Sequence, residues 1–134
     1  MPDYRFAKSE RLSGERQIER LFRDGTGGMA WPVRYLFVAD GPQEGGVPAA
    51  DGSPAVSVLI SVSKRNHKHA VDRNRLKRRM REAYRLNKSA LTEIATEKGA
   101  RVHLALIYAS KEISDYQTIE HAVRKILQTV GARL

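Results

Sequence analysis

Apolar positions along the chain change their period several times, and each change marks an element. Residues 1–12 read as irregular, with Phe6 and Leu12 as anchors. Behind Ser13, a good N-cap, Ile18, Leu21 and Phe22 fall at helical spacing. Glu15 suits the first turn and Gly25 the stop, which predicts a short helix over 14–24. Residues 26–32 form a glycine-containing turn carrying the only tryptophan, Trp31. Residues 33–38 are β-branched and aromatic and predict a strand. In a second strand Val56, Val58, Ile60 and Val62 alternate with Ser57, Leu59 and Ser61. These two strands are expected to pair as an antiparallel hairpin across a flexible loop at 40–54, rich in Gly and Pro. A long helix follows over about 71–91, its buried stripe drawn by Leu76, Met80, Ala83 and Leu91 with Tyr84 beside them. Val102, Leu104, Leu106 and Tyr108 alternate along a third strand. Ser114-Asp115-Tyr116-Gln117 reads as a capping box before the stripe Ile119, Val123, Ile126, Leu127 and Val130. The order predicts an α/β two-layer sandwich.

Length and composition narrow the class. A chain of 134 residues fits a single domain over 1–134 with a core of its own. With no cysteine, disulfides, zinc ribbons and thiol nucleophiles are excluded. The first residues are charged and lack the apolar run of a secretory signal, and no stretch approaches the ~18 apolar residues of a membrane span. A soluble, cytoplasmic protein without a membrane partner is expected.

Charge changes the picture most. The chain carries 24 Lys and Arg against 15 Asp and Glu, a net +9. From Lys64 to Arg85 there are ten cations and two anions, Asp72 and Glu82, so nearly the whole excess falls in one block. On the predicted helix, Asn74, Arg78, Arg81 and Arg85 lie opposite the apolar stripe, with Lys77 and Lys88 on one shoulder and Arg75 and Arg79 towards the other. A solvated helical face usually mixes signs to gain i,i+4 pairs. Here six arginines and one lysine between Arg73 and Arg85 share a single intervening acid, Glu82. Such self-repulsion calls for an outside polyanion. Guanidinium forks grip phosphates bidentately and stack on bases, so RNA fits better than a membrane.

The stretch Ala70-Val71-Asp72-Arg73-Asn74-Arg75-Leu76-Lys77-Arg78-Arg79-Met80-Arg81-Glu82-Ala83-Tyr84-Arg85 resembles the signature of the bacterial ribonuclease P protein subunit. Ile60-Ser61-Val62-Ser63-Lys64 resembles that family's preceding strand. Phe6, Lys8, Arg11 and Leu12 resemble its N-terminal pattern, and Phe22 with Gly25 the end of its first helix. The resemblance covers essentially the whole chain. It implies the order α-β-β-β-α-β-α, with a short strand near Gly28 to Trp31, and a left-handed β-α-β crossover where general rules favour a right-handed one. It implies removal of the 5′ leader of precursor tRNA by hydrolysis of one phosphodiester. In such an enzyme the RNA subunit holds the active site and its Mg2+, and the protein has no catalytic residue, no metal of its own and no small-molecule substrate. The implied partners are ribonuclease P RNA and precursor tRNA. Carried over, Arg73, Asn74, Arg75, Lys77, Arg78, Arg81 and Arg85 face the catalytic RNA, with Lys64, Arg65 and Lys68 in the turn before them. The leader is expected in a cleft between the first helix and the sheet, against Phe22, Phe37, Tyr35 and Ile18. The chain departs from the family in three places. Ile18 stands where an aromatic is common, the turn at 65–69 is one residue longer, and the 40–54 loop is long.

Three other readings compete. A ribosomal-type RNA-binding module explains the charge but not the Arg-Asn-Arg spacing. A helix-turn-helix regulator needs a short preceding helix where this chain has a strand. A stand-alone nuclease needs clustered carboxylates or histidines. His67 and His69 lack a carboxylate at ligand spacing and suit a basic turn, His103 the sheet surface, and His121 a solvated helix. Trp31 reads as structural. Phe37 fits a core aromatic and a stacking platform equally. Phe22 reads as core unless the family reading lifts it.

Overall fold

The computed structural model describes residues 10–12, 14–40 and 55–134. Phe6, Lys8, Ser13 and most of the 40–54 loop lie outside the described residues. The element order is α1 (Glu15–Asp24), β1 (Thr26–Ala30), β2 (Val33–Asp40), β3 (Val56–Val62), α2 (Ala70–Asn87), α3 (Ser89–Glu97), β4 (Arg101–Tyr108) and α4 (Tyr116–Ala132). The short strand implied by the resemblance is β1, and one element more is present than the sequence predicts, because the long helix is two.

The four strands form one sheet in the order β1-β2-β4-β3. β1 and β2 are antiparallel, as are β2 and β4, whereas β3 and β4 run parallel. The expected hairpin of β2 with β3 therefore does not form; β4 lies between them. Burial explains the choice. Leu104, Ala105 and Leu106 are consecutive and fully buried, so β4 needs a cover on both faces and neighbours on both edges. The connection from Asp40 to Val56 is far too long to enforce a hairpin. On its outer edge β3 meets the N-terminal segment, where Leu12 N donates to the Val58 carbonyl at 2.8 Å.

Strand alternation sorts the side chains into two layers. Val33, Tyr35, Phe37, Val58, Val62, Val102, Leu104, Leu106 and Tyr108 face α2, α3 and α4 in the main core. Leu36, Val38, Leu59, Ala105 and Ile107 face the other way and pack with Leu12, Ile18 and Leu21 of the α1 side. Gly28 is opposite Tyr35 on the main-core face, and a Cβ there would lie 2.6 Å from Tyr35 Cε1, so glycine lets the ring cross β1.

The long helix breaks at Asn87–Lys88. Asn87 Nδ2 donates to the Ala83 carbonyl at 2.8 Å, competing with the backbone ladder. Lys88, expected on the basic shoulder, turns inward and is buried; its Nζ lies 2.6 Å from Glu10 Oε1. Leu91 keeps its predicted core place, but on α3. Gly99, at φ 65°, ends that helix in the left-handed conformation glycine favours. At α4 the cap is Asp115, whose carboxylate accepts from Thr118 N at 2.9 Å, one residue later than the predicted Ser114. α1 is flanked at its start by extended Gly14, without a side-chain cap.

Candidate nucleic-acid interface

α2 follows β3 through residues 63–69 and lies against α4 and the sheet on Leu76, Met80, Ala83 and Tyr84, all fully buried. That anchoring turns the arginine face outward. Asn74, Arg75 and Arg78 are exposed; Lys77, Arg81 and Arg85 are partly exposed. Lys64, Arg65 and Lys68 are exposed in the preceding loop, on the same end of α2.

The seven cations from Arg73 to Arg85 fall into two groups. Arg73 Nη1 donates to the carbonyls of His67 at 2.9 Å and Lys68 at 2.7 Å, folding its guanidinium back onto the loop. Arg79 donates to the Ser114 carbonyl, tying α2 to the start of α4. Arg85 meets Glu82 Oε1 at 2.5 Å, and that pairing holds the Glu82 carboxyl below its ordinary range. Arg75, Lys77, Arg78 and Arg81 have no ion pair among the described residues. They form a cationic face with nothing of the described chain to neutralise it.

The loop is braced from below. His67 is buried, and its Nε2 donates to the Ser110 carbonyl at 2.8 Å, which assigns the ring proton to Nε2. The ring lies 5.6 Å from that of Tyr108. The Tyr108 hydroxyl accepts from Ser114 N at 2.9 Å and donates to the Glu112 carbonyl at 2.5 Å. The basic loop, the end of β4 and the α4 cap are therefore one hydrogen-bonded unit. His67, read from sequence as a turn residue, is its centre post.

The second predicted region, between α1 and the sheet, differs from expectation. Ile18 and Phe22 share one flank of α1, with Phe22 51% exposed. Tyr35 and Phe37 are not in the cleft with them. Both are odd-numbered on β2, point to the opposite face and are buried in the main core, their rings 6.5 Å apart and stacked. The floor beneath α1 is built by half-buried Leu36, Val38, Leu59 and Ile107. Trp31, expected to be structural, is 67% exposed at the β1–β2 turn.

Across the helix, the opposite flank of α1 is fixed to the end of β2. Arg20 grips Asp40 with both nitrogens, Nη1 to Oδ2 at 2.9 Å and Nη2 to Oδ1 at 2.5 Å. This fork holds the Asp40 carboxyl below the ordinary range, burial opposing it. On the same sheet face, desolvation pushes the half-buried His103 imidazole below its usual value, against the pull of Asp40. Among the described residues no group of three or more His, Cys, Asp or Glu could hold a metal ion. No helix of the described residues is long and apolar enough to cross a membrane.

Comparison with known proteins covers the whole of this arrangement. A family model described as Ribonuclease P matches residues 6–131. The chain is 33% identical over 133 residues to a "Ribonuclease P protein component" of Porphyromonas gingivalis, covering 99% of this chain and 91% of that one. It is 37% identical over 108 residues to the protein of that name from Chlorobaculum tepidum, covering 78% of this chain and 67% of the other. Among solved structures, the RNase P protein of Thermotoga maritima superposes with a TM-score of 0.66 at 22% identity, over 90% of this chain and 96% of that chain. The Staphylococcus aureus RNase P protein gives 0.65 at 18% identity, over 92% and 96%.

Proposed function

The chain belongs to the ribonuclease P protein family, the protein component of an endoribonuclease holoenzyme that processes tRNA, and from that premise we propose how its two faces act. The α2 face binds ribonuclease P RNA. The groove beside α1 holds the 5′ leader of precursor tRNA. The reaction is hydrolysis of one phosphodiester, with the active site and its Mg2+ on the RNA, in the cytoplasm. The chain acts as one RNA-binding domain and contributes binding and positioning rather than a reacting group.

The single observation that carries this reading is the helix face of Asn74, Arg75, Lys77, Arg78 and Arg81. Its four cations have no ion pair among the described residues, and it stands on a buried stripe that fixes its direction. Fork-shaped donors on a rigid helix suit phosphate oxygens of a folded RNA. Lys64, Arg65 and Lys68 extend the face along the loop. Arg73 shapes that loop through its two carbonyl contacts, and Arg85 marks the edge of the face with its charge shared by Glu82.

The leader reading rests on Phe22 and Ile18 above a floor of Leu36 and Ile107. Apolar and aromatic contacts accept any base, which suits leaders of varied sequence. Tested directly, bacterial ribonuclease P RNA should cleave a 5′-extended precursor tRNA faster at low Mg2+ when this protein is added. Protein alone should cleave nothing. Salt-sensitive RNA binding without stimulation would overturn the holoenzyme reading and leave a general RNA-binding module. Phe22→Ala should weaken binding of precursor tRNA more than of mature tRNA; equal losses would sink the leader groove.

A further inference from the structure

Trp31 is the bulkiest of the apolar side chains left in solvent among the described residues, whereas the strand aromatics Tyr35, Phe37 and Tyr108 are buried. An exposed tryptophan asks for an occupant more insistently than an exposed leucine does. Its surroundings indicate which. Residues directly opposite on neighbouring strands share a face. Met29 is opposite Arg34, Arg34 opposite Ile107, and Ile107 opposite Ser61. These four form one row across β1, β2, β4 and β3, about 14 Å wide from three strand spacings. The row lies on the α1 side of the sheet, because Leu36, Val38 and Ile107 face α1. The Arg20 flank of the helix is turned to Asp40 at the other end of β2, so the Ile18 and Phe22 flank is turned towards this row.

The row has two different ends. At β3 it runs on from Ser61 into Ser63, Lys64 and Arg65, the start of the basic loop. At β1 it reaches Met29, 52% exposed, and two residues later Trp31 in the turn. Arg34, exposed in the row, stands between the groove and the tryptophan. A single strand entering over the basic loop and passing Ile18 and Phe22 would leave over Arg34 and Met29. An exposed indole in the turn, with the exposed Arg34 in the row that leads to it, offers a stacking surface and a cation for an unpaired base and its phosphate. The cations along the track match a polyanion rather than the apolar face of a protein.

We propose that Trp31, with Met29 and Arg34, is a distal stacking subsite for an unpaired leader nucleotide beyond the groove. The proposal rests on the leader reading given above and extends it to leader length. Short leaders would fill the groove only, whereas longer ones would also reach Trp31.

The test uses the holoenzyme assembled from this chain and ribonuclease P RNA. Trp31 is the sole tryptophan, so its fluorescence reports on this position alone. Precursor tRNAs with leaders of graded length, and mature tRNA, are titrated in. Quenching should be absent with mature tRNA and the shortest leaders and appear once a threshold length is passed. Trp31→Ala should lower affinity about five- to a hundredfold, the range of base–aromatic stacking, for substrates above that threshold only. Trp31→Phe should restore most of it, and neither variant should shift the melting temperature, the side chain being exposed. Three results overturn the proposal: equal loss for short and long leaders, no loss for either, or full quenching on assembly with the RNA subunit before any substrate. Phe22→Ala keeps the two readings apart. If it fails to separate precursor from mature tRNA, the groove itself is wrong. If it does separate them while Trp31→Ala is silent, only the distal subsite falls.

Discussion

Replacing Arg78 and Arg81 together by alanine should change how salt controls RNA binding without changing the fold. Both side chains leave α2 on the face opposite Leu76 and Met80, and neither has an ion pair among the described residues. With Arg75 and Lys77 they make four cations on the helix, and Lys64, Arg65 and Lys68 add three in the loop. If each neutralises one phosphate, log affinity should fall against log salt with a slope of about −5 to −6, at ~0.7–0.9 per phosphate. Removing two should make the slope shallower by about 1.4–1.8. Arg73→Ala is the matched control, because its guanidinium is committed to the His67 and Lys68 carbonyls. Two charged hydrogen bonds at a partly exposed site contribute about 1–3 kcal/mol, a melting shift of roughly 3–10 °C. Filter binding to ribonuclease P RNA across a salt series, with thermal melting of each protein, separates the two. An unchanged slope in the double variant would refute this face as the phosphate-binding one. So would an Arg73→Ala protein that melts normally yet loses slope as the double variant does.

Acid should weaken the fold in two steps. The folded state keeps His103 neutral and Asp40 ionised, both held below their ordinary values, so the unfolded chain binds protons first. Stability is therefore full above about pH 6.5, declines below it as unfolded His103 charges, and declines again from about pH 3.9 as Asp40 must protonate. A pH series of melts checks this; His103→Gln should abolish the first decline, and Asp40→Asn should shrink the second, whose remainder belongs to Glu82 and Asp115, also held below the ordinary range. Lys88→Ala removes the buried ammonium that Glu10 meets at 2.6 Å and should cost about 1–3 kcal/mol by denaturant titration. Adding Glu10→Ala should recover part of that loss, and strict additivity would exclude a coupled pair. Gly28→Ala should cost about 1–3 kcal/mol, because its Cβ must displace the Tyr35 ring; no loss would mean that β1 shifts freely.

Much of the fold was legible in the periodicity. The 3.6-residue stripes of α2 and α4 placed Leu76, Met80, Ala83, Ile119, Val123, Ile126 and Leu127 in the core, where all seven are buried. The arginine face followed from the same wheel. Sheet order was not legible, because alternation describes a strand's two faces and says nothing of its edges. β4 took the centre through packing that only the assembled layers decide. The same limit misassigned the groove. Alternation on β2 separates Val33, Tyr35 and Phe37 from Arg34, Leu36 and Val38, and either set could have faced α1. Arg34 was the available signal, since a strand face bearing an exposed arginine belongs to the thinner layer. The larger aromatics then belong under the layer of α2, α3 and α4, where more surface is removed from water. Which arginines were committed to carbonyls could not be read at all. Those partners, His67, Lys68 and Ser114, are backbone groups whose positions depend on loop geometry.

The central place of β4 has a consequence for how the chain comes together. Among the described residues, β4 is the seventh of eight elements in chain order and the only strand that joins β3 to the rest of the sheet. As the chain leaves the ribosome, β1 and β2 can zip locally, while β3 and the whole of α2 emerge with no partner strand. Closing the sheet then requires a parallel pairing across the intervening helices, a non-local step that is slow compared with hairpin formation. During that interval the most cationic segment of the molecule is complete, solvent-facing and without the core that will orient it. A polyanion that binds the ordered helix more tightly than the disordered one draws the late strand into place by mass action. The RNA face would then be part of the route to the fold as well as its product.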